Sequence, residues 1–366
     1  MAPSTAVSLN QRYPINQHCH SIIEASGRYW IFYWNGANIA FVTSTDGTNW
    51  SGVTTIRAVA DALSFEVVYD GTTGYAHYVA VATWVYYRRF TLNADGTVTY
   101  SAVEQAVIAT GSAKYTPTID IDTGGHAWVS WNDGGNQAKC SKNANTDGTW
   151  ANATGFPYQP FGGANAGNLP IVRCLANGDV YIVYPRTGDT IIRGKYYTTA
   201  TSTWSAEETV FNSNHNGAFG SLIGFGSDVH YADVEVTTNN MRHAVRTGGA
   251  WSAKKTIEAA GNTMPGLSRD SVSTVYCFYA KTDGHVYYRK YVSGAWDAAA
   301  TDWFNETTIQ DSTKIGVGRD GMTGKIMVAW VKGNANPWLV RFDTLAVAIV
   351  TTGFRVEGRD FKETKF

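Results

Sequence analysis

The chain has 366 residues, with 29 Lys and Arg set against 30 Asp and Glu, a formal net charge of −1 and only 16% charged residues. That balance lacks the basic surplus of a nucleic-acid binder, so no nucleic-acid partner is expected. Aromatic residues reach 13% and Gly numbers 37, a mix suited to short strands joined by tight turns.

In chain order, Thr5 to Leu9 is a candidate strand. A short apolar strand then begins near Cys19, and similar starts follow near Leu63, Tyr115, Asn168, Phe219, Met264 and Thr313, spaced 44 to 53 residues apart. Turns with Asp or Gly come next: Asp70-Gly71, Asp122-Thr123-Gly124, Asn177-Gly178, Asp320-Gly321. Aromatic second strands follow, such as Tyr29 to Trp34, His126 to Trp131, Val180 to Tyr184, Val275 to Tyr279 and Ile326 to Trp330. Third strands are more polar, as in Asn38 to Thr43 and His285 to Tyr291. A polar turn, a Trp and an outer strand then close the unit in five cases. The closing phrase is Trp50-Ser51-Gly52, Trp204-Ser205-Ala206 or Trp251-Ser252-Ala253, with weaker copies at Trp150 and Trp296.

Four strands per ~50 residues, without a helical stretch, is the signature of a propeller blade. A sandwich also uses regular short strands but does not explain similar units in series. The expected fold is all-β: a seven-bladed β-propeller, with six blades as the alternative count, four antiparallel strands per blade and a ring closed by a terminal strand. The last unit has no Trp-Ser phrase, so either Thr5 to Leu9 or Ala346 to Val350 must supply its fourth strand. The N-terminal segment is favoured because closure joins first blade to last. The expected segments are 1–18 for closure, 19–345 for the propeller, and 346–366 for a strand and tail that serve as an assembly contact.

The stretch Ser44-Thr45-Asp46-Gly47-Thr48-Asn49-Trp50 resembles the Asp-box of the sialidase-like propeller superfamily, and Asp147-Gly148-Thr149-Trp150 resembles a degraded copy. The resemblance implies a structural hairpin on the outside of a blade and says little about chemistry. Sialidases of that superfamily also carry an Arg-Ile-Pro near the start, to which Arg12-Tyr13-Pro14 is similar. Their arginines clamp a carboxylate in bidentate fashion. Here Arg269 and Arg319 stand at the far ends of their first strands, on the face away from Arg12, and no acid lies between Asn35 and Thr45 where the family places its Asp. Some seven-bladed propellers are polysaccharide lyases with His, Tyr and Arg around the axis. By that resemblance His20, His77, Tyr78 and Arg12 are the catalytic candidates, a His–Tyr pair exchanging a proton beside a uronate. Packing in the core is the alternative role for these histidines.

The recurring aromatic at the end of the second strand is the better lead. Trp34, Trp131, Tyr184, Tyr279 and Trp330 occupy matching places in five units, followed by Asn35, Asn132-Asp133, Arg186, Lys281 and Asn334. A flat ring beside a polar group receives the C–H face and hydroxyls of a sugar; the competing role for the rings is packing between blades. The eight His and the carboxylates are scattered singly, so no metal and no cofactor is expected. Cys19, Cys140, Cys174 and Cys277 have no framework spacing and read as free thiols of a reducing compartment.

No apolar run approaches the ~20 residues that span a bilayer, and the first twenty residues lack the basic start and apolar core of a secretory signal. No membrane partner is expected, and synthesis is placed in the cytoplasm, with a virion as the destination after lysis. The expected function is a non-catalytic propeller for binding or assembly, part of a phage or virus particle that contacts cell-surface glycans. It would join a protein partner or a homo-oligomer through its termini. The alternative is a glycan-active enzyme, a lyase or a sialidase-like hydrolase, with its site at the axial mouth.

Overall fold

The computed structural model describes residues 3–10, 15, 21–60, 64–109, 115–133, 137–160, 169–186, 191–212, 220–259, 264–281, 283–306, 315–319, 323–333 and 335–348. They form seven small antiparallel sheets in a ring, a seven-bladed β-propeller without helices. The seven-blade expectation holds. The inner strands are Ile22–Ala25, Phe65–Asp70, Tyr115–Ile121, Ile171–Cys174, Ser221–Phe225, Gly266–Arg269 and Ile315–Val317. Each lies within three residues of its expected start.

Strand position sets the burial pattern. Second strands are sandwiched between neighbouring blades on both sides, so Ala127–Asn132 and Val275–Ala280 are buried at every residue. Third strands such as Val85–Leu92 and Ile191–Thr198 bury roughly alternate residues, whereas Asn38–Ser44 is buried after its first residue. The outer edge is often split. In the fifth blade a two-residue piece, Ala250–Trp251, and a longer one, Lys255–Glu258, both pair with Met241–Thr247.

The repeated tryptophan is a wedge between blades. Trp50 meets Phe342 at 5.0 Å, Trp150 meets Tyr87 at 5.1 Å, and Trp251 meets Tyr181 at 5.6 Å. Trp204 stacks on Tyr158 at 4.6 Å, and Trp296 meets His243 edge-on at 5.0 Å. In every case the partner belongs to the preceding blade. The turn before the first of these is self-contained. Asp46 accepts from the amides of Thr48 and Asn49, both at 2.8 Å, Ser44 Oγ accepts from Gly47 N at 2.9 Å, and Gly47 takes a φ of +71°.

The seventh sheet is completed by Ser4–Leu9, antiparallel to Trp338–Ala346. Leu9 faces Trp338 and Ser4 faces Phe342. The first blade grips this strand as well, because Trp50 Nε1 donates to Ser4 Oγ at 3.0 Å. Closure covers the otherwise unpaired side of Trp338–Ala346.

Candidate ligand site at the axial mouth

Side chains on the inner strands fix the axis. Ser21 Oγ accepts from Val67 N at 3.1 Å, Glu66 Oε2 from Ile119 N at 2.7 Å, Thr118 Oγ1 from Val172 N at 3.0 Å, and Ser221 Oγ from Leu267 N at 3.0 Å. Each bond joins one blade to the next. In the fourth and sixth blades the same register position is Ile171 or Gly266, which has no side-chain acceptor. There the residue two places on takes over: Arg173 Nε donates to Leu222 O at 3.0 Å and Ser268 Oγ to Gly318 O at 2.7 Å. The six junctions from the first blade to the seventh are therefore bridged.

Glu66 and Arg173 also meet directly at 2.9 Å, with side chains 0% and 2% exposed. Arg173 Nη1 donates to Val172 O at 2.8 Å. A buried ion pair is tolerable only when its remaining donors and acceptors are met in this way.

At one end of the axis the inner strands open into a cavity of about 430 Å³. It lies on the face that carries the turns between inner and second strands. Ile22, Val68 and Met327 give it an apolar wall; Glu24, Asp70, Arg269 and Arg319 bring charge. Arg319 Nη1 reaches Asp120 at 2.5 Å, from the seventh blade to the third. Asp120 is buried and also accepts from Cys174 N at 2.9 Å, so the anchor is itself anchored. Arg269 stacks on Phe225, its guanidinium carbon 5.1 Å from the ring centre. Glu24 accepts from Thr323 Oγ1 at 2.7 Å, and Asp70 from Thr72 N at 2.9 Å. Tyr69 also lines the cavity, and burial, with Asp70 beside it, raises its pKa, so it acts there as a hydrogen-bond donor. A volume of this size and mixed lining suits a small polar ligand. The described lining residues include no histidine or cysteine, and among the described residues no group of three His, Cys, Asp or Glu is placed to hold a metal.

The residues singled out in the sequence are dispersed. Arg12, His20 and Asn334 lie outside the described residues, as does the tail beyond 348; Arg186 ends its strand, and only its backbone is described. His77 and Tyr78 are neighbours on one strand and so point to opposite faces of the sheet. His77 Nδ1 bonds Tyr87 Oη at 2.9 Å toward the third blade, whereas Tyr78 donates to Glu104 at 2.6 Å toward the first. They do not form a proton-exchanging pair. Trp131, Tyr184, Tyr279 and Trp330 are fully buried between blades, leaving no ring face for a sugar. Tyr184 and Tyr279 donate to Glu207 at 2.8 Å and Glu258 at 2.7 Å.

Trp34 is out of register with the others. Phe32 N donates to Ser21 O, as Val183 pairs with Ile171 and Phe278 with Gly266, so the match to Tyr184 and Tyr279 is Tyr33. Trp34 lies one residue further and packs between the first and second blades, while Tyr33 packs between the seventh and first. Asn35 shapes its own turn by accepting from Asn38 N at 2.9 Å. Asn132 is buried, and Asp133 faces Lys139 at 3.6 Å.

Sequence reading missed Glu66, Arg173 and Asp120. The available signal was a single charge inside each of three apolar inner strands, Phe65-Glu66-Val67, Val172-Arg173-Cys174 and Ile119-Asp120-Ile121. Such a residue is buried only if paired.

No protein-family model matches this chain, and no curated protein matches it. Solved structures resemble it in shape. An ulvan lyase, a polysaccharide lyase described as bound to a glucuronate–sulfated-rhamnose saccharide, aligns with a TM-score of 0.61 at 9% identity over 94% of this chain and 96% of that one. The WD40 domain of Toxoplasma gondii coronin gives 0.57 at 10% identity, over 94% and 85%. AofleA from Arthrobotrys oligospora gives 0.52 at 10%, over 92% and 96%. At these identities the likeness shows the propeller fold alone.

Proposed function

We propose that this protein is a non-catalytic, saccharide-binding β-propeller that receives an acidic sugar in the cavity on its turn face. The observation that supports this most is that Arg269 and Arg319 line one cavity together with apolar Ile22, Val68 and Met327. A uronate or sulfated sugar offers an anion for guanidinium groups and a C–H surface for Ile22, Val68 and Met327. The shape similarity to a lyase described with such a saccharide agrees with this ligand class. The finer reading is a structural or receptor-binding component of a phage or virus particle, with 346–366 as the assembly contact and an Asp-box ancestry shared with sialidase-like propellers. Deleting residues 349–366 then abolishes incorporation into particles while leaving the unfolding midpoint in place; unchanged incorporation removes the particle role.

Calorimetric titration with a sulfated glucuronate–rhamnose oligosaccharide tests the binding site. Arg269→Ala and Arg319→Ala, each confirmed as folded by its unfolding midpoint, are expected to weaken binding by roughly tenfold or more. Equal affinity in wild type and both variants overturns the cavity assignment. Unsaturated uronate appearing by ultraviolet absorbance during the titration selects the lyase alternative instead.

A further inference from the structure

Among the described large hydrophobic side chains that remain exposed, Trp84 is the one aromatic; the others are valines. Trp84 is 38% exposed. It sits in the turn between the second and third strands of the second blade, where Ala82 N donates to Trp84 O at 3.0 Å. That turn belongs to the face opposite the axial cavity. Residues two apart on a strand share a side, so Trp84 continues the side of Val85–Leu92 that carries Tyr86 and Arg88.

The Trp84 and Tyr86 rings lie 6.1 Å apart and are tilted by 33°. Arg57, from the outer strand of the first blade, stacks on Tyr86 at 3.9 Å and pairs with Glu104 at 3.0 Å. Glu104 in turn accepts from Tyr78. Arg57 therefore covers one face of Tyr86 and fixes the ring, and the exposed indole extends the aromatic surface.

We infer that Trp84 and Tyr86 form a second saccharide subsite, for a β-linked chain of equatorially substituted pyranoses. Such sugars present all their axial hydrogens on flat faces, which stack on the electron-rich face of an indole. The ring separation is close to that of successive sugars in such a chain, so one pyranose on Trp84 leaves its neighbour over Tyr86. Arg57 and Glu104 stand beside the rings with polar groups for the hydroxyls. An indole has only two side-chain torsions, so it offers a large surface at little cost in entropy on binding. The subsite does not depend on the axial cavity, and it takes a neutral chain where the cavity takes an acidic one.

The test is a titration of the isotope-labelled full chain with cellotetraose and chitotetraose, following the Trp84 indole N–H resonance. That resonance is assigned by its loss in Trp84→Ala. A saturable shift in the millimolar range is expected with at least one of the two; Trp84→Ala, followed by the backbone amide resonances of Val85 and Tyr86, should weaken binding roughly tenfold or more, with Trp84→Phe in between. Arg269→Ala should leave this titration unchanged, so the subsite and the axial cavity stand or fall separately. No shift with either oligosaccharide, equal binding by Trp84→Ala, or an equal shift with a single-stranded oligonucleotide overturns the assignment.

Discussion

The inner and outer rings of this propeller are held together by different chemistry. Outside, the same device recurs: an aromatic after a tight turn presses into the preceding blade, as Trp50, Trp150, Trp204, Trp251 and Trp296 do. Inside, no single residue type serves throughout. The bridging side chain is Ser21, Glu66, Thr118, Arg173, Ser221 or Ser268, from one of two register positions. Hydrophobic contact is non-directional, so one residue type can serve every outer joint. Near the axis the strands crowd, and each junction must meet the backbone groups that its own geometry leaves unpaired. Different side chains meet the same need there.

The largest expected effects break the inner ring. Glu66→Ala leaves Arg173 as a buried cation without its carboxylate and Ile119 N without its acceptor. The cost is about 3–5 kcal/mol, read as a fall in the urea midpoint. The pair Glu66→Gln with Arg173→Met keeps an acceptor for Ile119 N and should recover most of that loss. If the pair is as unstable as the single variant, the ion pair is not what matters at this junction. Trp204→Ala comes next. It removes a ring stacked on Tyr158 and packed near Trp128 and Tyr197, at about 2–4 kcal/mol because the indole is only partly buried. A cost near that of Glu66→Ala would erase the distinction between the rings.

The same contrast explains what could be read from sequence. The outer device is local: turn, Trp and outer strand are contiguous, so the phrase at Trp204 and Trp251 is visible without a fold, and the seven spaced strand starts give the blade number. The inner device joins residues about fifty positions apart, as Glu66 to Ile119 and Thr118 to Val172, and its residue type varies. Nothing in a single sequence marks these as equivalent. The axial cavity was illegible for that reason: Glu24, Asp70, Arg269 and Arg319 come from four blades, and only their common place at inner-strand ends relates them. The aromatic reading failed differently. A ring at the end of a second strand is prominent in sequence, but that strand is sandwiched between blades, so Trp131, Tyr184, Tyr279 and Trp330 are consumed by packing. The displacement of Trp34 by one residue turns it to the opposite side of its sheet.

A smaller effect comes from histidines in the joints between blades. His230 Nδ1 and His243 Nε2 lie 3.0 Å apart, both buried, with Tyr291 and Trp296 against His243. Burial depresses their pKa values, that of His230 to about 4, and that of His77 in the second blade to about 3. The folded state thus binds fewer protons than the unfolded chain, where histidine titrates near 6.5. Their contribution is intact above about pH 6.5 and is lost as pH falls from there toward about 4. Urea midpoints near neutral pH and near pH ~5 should differ accordingly, and His243→Leu should flatten the dependence. A steepened profile in that variant contradicts the assignment to this pair.

The smallest expected effect lies at the outermost point of the outer ring, in the hairpin around Asp46. Its carboxylate is solvent-exposed, yet its pKa is held below the usual range by hydrogen bonds from Asn49 and Thr48. A group with a lowered folded pKa adds stability at neutral pH and loses it as pH falls through the carboxylate range. Asp46→Asn keeps an acceptor oxygen but no charge, so its loss should be slight and independent of pH above that range. Asp46→Ala removes the acceptor for two amides and should cost more, while remaining below Trp204→Ala. Both are read as thermal midpoints at neutral pH. The hairpin also supports Trp50, and through it Ser4 of the closing strand. If Asp46→Ala loosened ring closure, hydrogen exchange would rise in Ser4–Leu9 as well as in the turn. The turn is held almost wholly by its own residues, so the increase should stop at Trp50. Spread into Ser4–Leu9 would show that the hairpin and the closing strand act together.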